Sequence, residues 1–350
     1  MITFGNTTFT IDQIRRGEGN HLPSTYRKAF NFCEQWLNGK DNFDLLTSGS
    51  TGLPKKVTVS RKQLAESAKA TKAFFGFNKG CKMLCCLDTE KVGGKMMLVR
   101  ALEWEGELIV KPADGNPLKG LENEFFDFVA LVPLQVEKSL TSKKGALALE
   151  KIKNIIIGGA PISANLRVKL SLLPGKVFQT YGMTETVSHI ALANLKSHGN
   201  LIYQALPNVQ VKVDASNRLM ILAPMGGKAW LQTNDIVNLE GENSFTWKGR
   251  ADHVVNSGGI KIHPEEVAQK IGDLMQEYFP NCIFFLAGIK DDKLGQALTL
   301  VKEDVEAGKL LLQRAKSLLP KFHNPRKILF LPQFKLTSSG KIDQLRTLAK

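Results

Sequence analysis

At 350 residues the chain has room for about two domains with sizeable cores, and its 43% apolar and 23% charged residues exclude wholesale disorder. No apolar run approaches the ~18 residues of a membrane span. Lysine and arginine outnumber acids 47 to 33, a net charge of +14, but they are scattered, with no basic helix interleaved with aromatics. That pattern speaks for a solvated basic surface or polyanionic small-molecule substrates and against nucleic acid.

The opening MITFGNTTFTIDQIRRG lacks the basic segment and long apolar run of a signal peptide, so a soluble, cytoplasmic protein is expected. Leu46-Thr47-Ser48-Gly49-Ser50-Thr51-Gly52-Leu53-Pro54-Lys55 is the strongest local signal. Its glycines let backbone approach closely, its hydroxyls and amides donate, and Lys55 or Lys56 supplies charge, so the loop can wrap phosphate oxygens. No Gly-Lys-Ser/Thr leads straight into a helix, so the Walker pattern is excluded, and a polar surface turn is the plain alternative. A helix follows from Ser60, with Gln63 completing a capping box.

Next come short apolar runs ended by Gly or Pro: CKMLCCL, ELIVKP, DFVALVP, KNIIIGG and KVFQTYG. They read as buried strands, alternating with helices near 92–103, 134–149 and 163–173, which predicts a parallel sheet with crossover helices. Five cysteines, odd in number and irregularly spaced, exclude a disulfide framework or zinc site, and Cys85 and Cys86 read as small core residues. Right after the strand KVF, Gln179-Thr180-Tyr181-Gly182-Met183-Thr184-Glu185-Thr186 sets two threonines around a carboxylate at a strand end. There Thr184 can donate to a phosphate and Glu185 can hold Mg²⁺. Between 201 and 247 short strands with turns predict antiparallel sheet or a small barrel. Thr233-Asn234-Asp235 ends one strand, and an Asp there can accept from both hydroxyls of a ribose.

Gly249–Gly259 (GRADHVVNSGG) is the clearest boundary. Pro264 opens a helix with Val267, Ile271, Leu274 and Met275 on one face. Strands CIFFLAG and LTLVK, a helix near 307–319 and strand KILFL follow, and Thr337-Ser338-Ser339-Gly340-Lys341 puts a lysine on a glycine-flexible loop. The division predicted is 1–249, a connector 250–259, and 260–350.

The ordered set TSGSTGLPK, YGMTET, TND, GRAD with SGG and PEEV, then SGKID resembles the acyl-adenylate-forming superfamily and covers residues 47 to 343. The resemblance implies a mixed α/β and α+β fold: a large N-terminal domain, reduced at its start, and a small mobile C-terminal domain. It also implies an AMP-forming acid–thiol ligase using ATP, Mg²⁺ and coenzyme A, with small molecules as its partners. Thr47, Ser48, Gly49, Ser50, Thr51, Gly52 and Lys55 match the phosphate loop. Gly158, Gly159, Ala160 and Pro161 match the adenine-pocket strand end, with Tyr181 beside it. Thr184 matches the α-phosphate contact, Glu185 the metal ligand, and Asp235 and Arg250 the ribose contacts. Asp252 matches the hinge, Ser257, Gly258 and Gly259 the coenzyme A channel, and Lys341 the lysine that reaches the reacting carboxylate and phosphate. Asn234 stands where Gly is usual, Ala268 where Glu is common, and Lys91 where an aromatic or His is frequent.

Within the superfamily, YGMTETVSHIALAN and GGKMMLVRALEWEG resemble the o-succinylbenzoate–CoA ligases of menaquinone biosynthesis. Other aryl- or acyl-CoA ligases, and a nucleotide-binding relative without activity, are the alternatives. The narrower resemblance implies a site for a second carboxylate. Gly94, Met97 and Arg100 share a helix face there, with Ser188 as an added donor. The plain alternative pairs Arg100 with Glu103 or Glu105. A homo-oligomer is expected if the shortened N-terminus bares an apolar face.

Overall fold

A computed structural model describes residues 1–46, 56–278, 283–302, 308–336 and 342–349. Its centre is a sheet of thirteen strands. Strands Lys82–Cys85, Phe128–Leu131, Asn154–Ile157 and Lys176–Gly182 pair in parallel, neighbour to neighbour. Glu107–Val110 continues the parallel set beyond Lys82–Cys85.

The two-residue period of these strands divides the core in two. Met83, Cys85, Phe128, Ala130 and Ile156 face one cluster, while Leu84, Val129, Leu131, Ile155 and Ile157 face the other. Helices Ser24–Leu37, Arg61–Phe75 and Val92–Glu103 contribute to the first cluster; Pro133–Leu140, Lys143–Glu150 and Ala164–Ser171 contribute to the second. With both faces covered, strands such as Phe128–Leu131 are buried at every position, hence their unbroken apolar sequences.

The capping box at Ser60 is present: the Gln63 amide donates to Ser60 Oγ at 3.2 Å and the Ser60 amide to Gln63 Oε1 at 3.0 Å. The helix expected over 134–149 is instead two. Pro133–Leu140 ends before Ser142, whose Oγ accepts from the Gly145 amide at 3.1 Å and starts Lys143–Glu150. The break goes unseen in the apolar pattern because both helices pack Val136, Ala148 and Leu149 on the same cluster.

Residues 201–247 form no separate sheet or barrel. Lys176–Gly182 pairs antiparallel with His189–Asn194, and Ile202–Ala205, Ser244–Arg250, Leu231–Gly241, Arg218–Leu222 and Gln210–Val213 extend the same sheet antiparallel. At its other edge Ile2–Phe4 joins Glu107–Val110 in parallel and carries the hairpin partner Thr7–Phe9.

The large sheet ends at Arg250 and a second begins at Val255. In it Ile260–Ile262, Val255–Ser257, Gly295–Lys302 and Phe284–Asp291 lie side by side, and Lys327–Phe330 pairs in parallel with Gly295–Lys302. Val267 and Ile271 of helix Pro264–Tyr278 are buried against Leu298 and Leu300, with Leu274 partly buried beside them. The Met275 side chain lies outside the description.

Gly94 sits in the first turn of helix Val92–Glu103, and a Cβ there would lie 2.4 Å from the Asp88 carbonyl oxygen. Backbone cannot yield as a side-chain tip can. Gly94→Ala should therefore destabilise the fold by about 1–3 kcal/mol, read as a lowered denaturant midpoint.

Candidate active site

In parallel α/β sheets ligands bind beyond the carboxyl ends of the strands. The segments following Cys85, Leu131, Ile157 and Gly182 share that edge, so Gly158–Pro161 and Tyr181–Ser188 are neighbours. Gly158 is required by close approach, since a Cβ would meet Thr180 Oγ1 at 2.3 Å. Gly159 has φ +87°, the left-handed region that glycine enters freely.

Between Gly182 and His189 the sheet turns from parallel to antiparallel through a 3₁₀ turn at Thr184–Thr186. The single Thr186 hydroxyl proton has two carbonyl acceptors within reach in this turn, Met183 at 3.0 Å and Ser188 at 2.8 Å. Val187, β-branched and fully buried, is held at φ +63°, a strained conformation of the kind that collects at functional sites. Thr184 is half-buried and Glu185 exposed, and no described side chain hydrogen-bonds to either. The Glu185 carboxylate is thus open to a cation. No cluster of three or more His, Cys, Asp or Glu that could hold a metal exists among the described residues. Magnesium, which keeps water and phosphate oxygens in its shell, fits one such carboxylate without a protein cage.

Asp235 is buried and bridges the two halves of the sheet. Its Oδ2 accepts from the Tyr181 hydroxyl at 2.6 Å and its Oδ1 from Trp247 Nε1 at 3.0 Å. Burial, then the charge of Asp235, raises the Tyr181 phenol well above its ordinary range, so it stays a donor. Two donors fix the carboxylate while a lone pair on each oxygen is left over. Trp247 is the member of this group that sequence patterning missed; it reads there as one more aromatic in a strand.

Arg250 lies opposite Asp235 in the strand register. Its side chain forks onto Asp252, Nε to Oδ1 at 2.9 Å and Nη2 to Oδ2 at 2.7 Å. The hydrogen bonds from Arg250 lower the Asp252 pKa. Beyond them His253 Nδ1 stands 2.5 Å from Glu265 Oε1 on helix Pro264–Tyr278. Ser257 is buried, and Gly258 (φ +61°) and Gly259 (φ +84°) form the turn between Val255–Ser257 and Ile260–Ile262. Two positive φ values in a two-residue hairpin explain the glycine pair. Thr47–Gly52, Lys55 and Lys341 lie outside the described residues.

Arg100 is 1% exposed and meets no carboxylate among the described residues. Its Nη1 is 3.6 Å from Met97 Sδ, and its Nη2 is 3.5 Å from both Ser188 Oγ and His189 Nδ1. Its Nε has no partner, and its guanidinium carbon lies 5.6 Å from the centre of the Phe128 ring. The surface pairing weighed for it does not occur: Glu105 pairs with Lys79 at 2.9 Å. Burial pushes the guanidinium down to about 9, still above neutral pH, so a charge is held here without a counter-charge. His189 is 5% exposed and held well below its ordinary range, first by burial and then by Arg100. Nothing in the sequence pattern singled out its other contact, Thr71.

A family model of AMP-binding enzymes matches residues 40–226. An acyl-CoA synthetase (AMP-forming)/AMP-acid ligase II-like protein from Dyadobacter fermentans is 38% identical; the match covers 95% of this chain and 96% of that one, with a TM-score of 0.66. The 2-succinylbenzoate–CoA ligase of Listeria monocytogenes is 24% identical over 93% of this chain and 73% of its own length. A Bacillus subtilis o-succinylbenzoate coenzyme A synthetase, solved with ATP and magnesium ion, shares the fold at a TM-score of 0.73 and 21% identity, covering 87% of this chain and 69% of that one.

Because Arg100 is buried without a counter-charge, an apolar side chain of similar length should be tolerated better by the fold. Arg100→Met should raise stability by about 1–3 kcal/mol in chemical unfolding. An unchanged or lowered midpoint would mean that the neutral contacts of Arg100 compensate its desolvation.

Proposed function

We propose that this chain, which belongs to the family of AMP-binding enzymes, is an AMP-forming acid–thiol ligase acting on o-succinylbenzoate. The acid's aliphatic carboxylate is joined to the α-phosphate of ATP, releasing pyrophosphate, and the thiol of coenzyme A then displaces AMP. Relatives named 2-succinylbenzoate–CoA ligase over most of this chain support the activity. The observation that carries the substrate is Arg100, a buried guanidinium with no counter-charge among the described residues. A monocarboxylic acid would leave it unpaired; an acid with a second carboxylate supplies the missing charge and a planar partner for its fork. Ser188 Oγ, 3.5 Å from the guanidinium and half-buried, adds a donor on the same side. Gly94 lets the Arg100 helix begin tight against 88–89, which sets where Arg100 stands.

The carboxylate under attack is already ionised at neutral pH, so no general base is needed for the first step. The barrier lies in bringing anions together and in the charge that gathers on departing pyrophosphate. Thr47, Ser48, Gly49, Ser50, Thr51, Gly52 and Lys55 hold the phosphates, and Thr184 donates to the α-phosphate. Glu185 would hold Mg²⁺, which when bound neutralises phosphate charge. Gly158, Gly159, Ala160 and Pro161 with Tyr181 receive the adenine. Asp235, fixed by Tyr181 and Trp247, accepts from the ribose hydroxyls, and Arg250 contacts the same sugar.

Residues 1–249 act as the ATP- and acyl-binding domain and 260–350 as a small mobile one, turning about 250–259 at Asp252. The fork between Arg250 and Asp252 ties the sugar contact to that hinge. Ser257, Gly258 and Gly259 line the coenzyme A channel. A cytoplasmic location, where ATP and coenzyme A are supplied, belongs to the same reading. No helix among the described residues is long and apolar enough to cross a membrane.

Pyrophosphate release on mixing enzyme, ATP and Mg²⁺ with a panel of carboxylic acids tests the assignment. o-Succinylbenzoate should be preferred, and Arg100→Ala should lower its kcat/KM some thirty- to thousand-fold, the ~2–4 kcal/mol of a charge-assisted bond to a desolvated carboxylate, while the KM for ATP is nearly unchanged. Preference for a fatty or monocarboxylic aryl acid, or a silent Arg100→Ala, refutes it.

Lys341→Ala should cripple adenylate formation by about a hundredfold or more and spare thioester formation from supplied acyl-adenylate, since a lysine so distant in sequence from the other site residues serves only when the C-terminal domain closes for adenylation. Equal losses in both half-reactions would refute that division.

A further inference from the structure

His189 is buried, chemically capable and unused by the adenylation steps. It opens strand His189–Asn194, and its two ring nitrogens face different partners. Nε2 lies 3.2 Å from Thr71 Oγ1 on helix Arg61–Phe75. The single hydroxyl proton of Thr71 is committed elsewhere, donated to the Ser67 carbonyl at 3.0 Å. Toward the imidazole Thr71 can therefore only accept, so the ring proton sits on Nε2. Nδ1 is then a lone pair, and it faces Arg100 Nη2 at 3.5 Å and Ser188 Oγ at 3.4 Å. Polarity runs one way, from Arg100 through His189 and Thr71 to the Ser67 carbonyl.

An aspartate or glutamate in place of His189 would hold the guanidinium more strongly, but it would also cancel its charge and occupy the place of a ligand. A neutral acceptor at long distance orients Arg100 and leaves its charge unspent. We propose that His189, with its tautomer set by Thr71, is a positioning residue that holds the Arg100 guanidinium for the second carboxylate of a diacid substrate and so sets selection for diacids over monoacids. The proposal rests on Arg100 as the anion anchor. Its consequence is specific: losing the Nδ1 acceptor should harm only acids that carry the second carboxylate.

Steady-state adenylation with o-succinylbenzoate and with 4-oxo-4-phenylbutanoate, the same acid without its ring carboxylate, provides the test. In His189→Leu the ratio of kcat/KM values, diacid over monoacid, should fall about tenfold, the size of one hydrogen bond to a charged group, chiefly through KM of the diacid. His189→Asn, which keeps an acceptor near the Nδ1 position, should restore most of the ratio. Thr71→Val keeps the side-chain shape but frees the tautomer, and should lower the ratio about threefold. Thermal unfolding confirms that each variant is folded; should His189→Leu fail to fold, His189→Asn and Thr71→Val carry the test. Equal loss with both acids, or a Thr71→Val ratio equal to the parent enzyme's, overturns the proposal. A parent enzyme with no preference for the diacid, or an Arg100→Ala ratio unchanged from it, identifies the anchor itself as the failure and removes the proposal with it.

Discussion

Strand Lys176–Gly182 is paired in parallel on one side, with Asn154–Ile157, and antiparallel on the other, with His189–Asn194. The chain must reverse within Met183–Ser188, and that reversal gathers the site. It leaves Thr184 and Glu185 at the carboxyl edge of the parallel strands, beside Gly158–Pro161. It also brings the antiparallel strands alongside, so that Asp235 reaches Tyr181 across the sheet. The turn is costly locally: Val187 sits in a conformation that β-branched residues avoid. The surrounding hydrogen bonds of Thr186 and the complete burial of Val187 hold it there.

The same reversal places Ser188 and His189 against Arg100, whose charge has no counterpart among the described residues. Buried guanidinium without a carboxylate is unfavourable for folding, since desolvation is uncompensated by an ion pair. Its surroundings limit the penalty without removing it: the Met97 sulfur, the Phe128 face and two neutral acceptors at 3.5 Å. On the function proposed, such a site gives up stability in exchange for selective binding, and an arriving anion would recover the energy.

A different economy governs the junction between the sheets. Arg250, Asp252, His253 and Glu265 form two adjacent charged contacts, the first partly exposed and the second largely buried. A partly exposed pair such as Arg250–Asp252 contributes little to net stability. At Gly249 (φ +150°) the Glu265 carboxylate takes up the space a side chain would fill, a Cβ there lying 2.5 Å from Glu265 Oε2.

Much of this was legible in the chain itself. Apolar runs ended by Gly or Pro located the parallel strands, because burial on both faces demands unbroken hydrophobicity. Ser60 and Gln63 declared a helix start, and the ordered motifs, through their resemblance, pointed to the family that the comparisons show. Local signals failed where an outcome depends on distant partners. The break at Ser142 and the union of 201–247 with the main sheet follow from packing and strand pairing, which leave the local pattern unchanged. Trp247 and Thr71 matter only through Asp235 and His189, 12 and 118 residues away. For Arg100 the sequence determined the charge and the helix face, while only the tertiary structure decided that Glu105 turns to Lys79 and that no other described acid pairs with it. Counter-charge is a property of space, and spacing along a chain does not encode it.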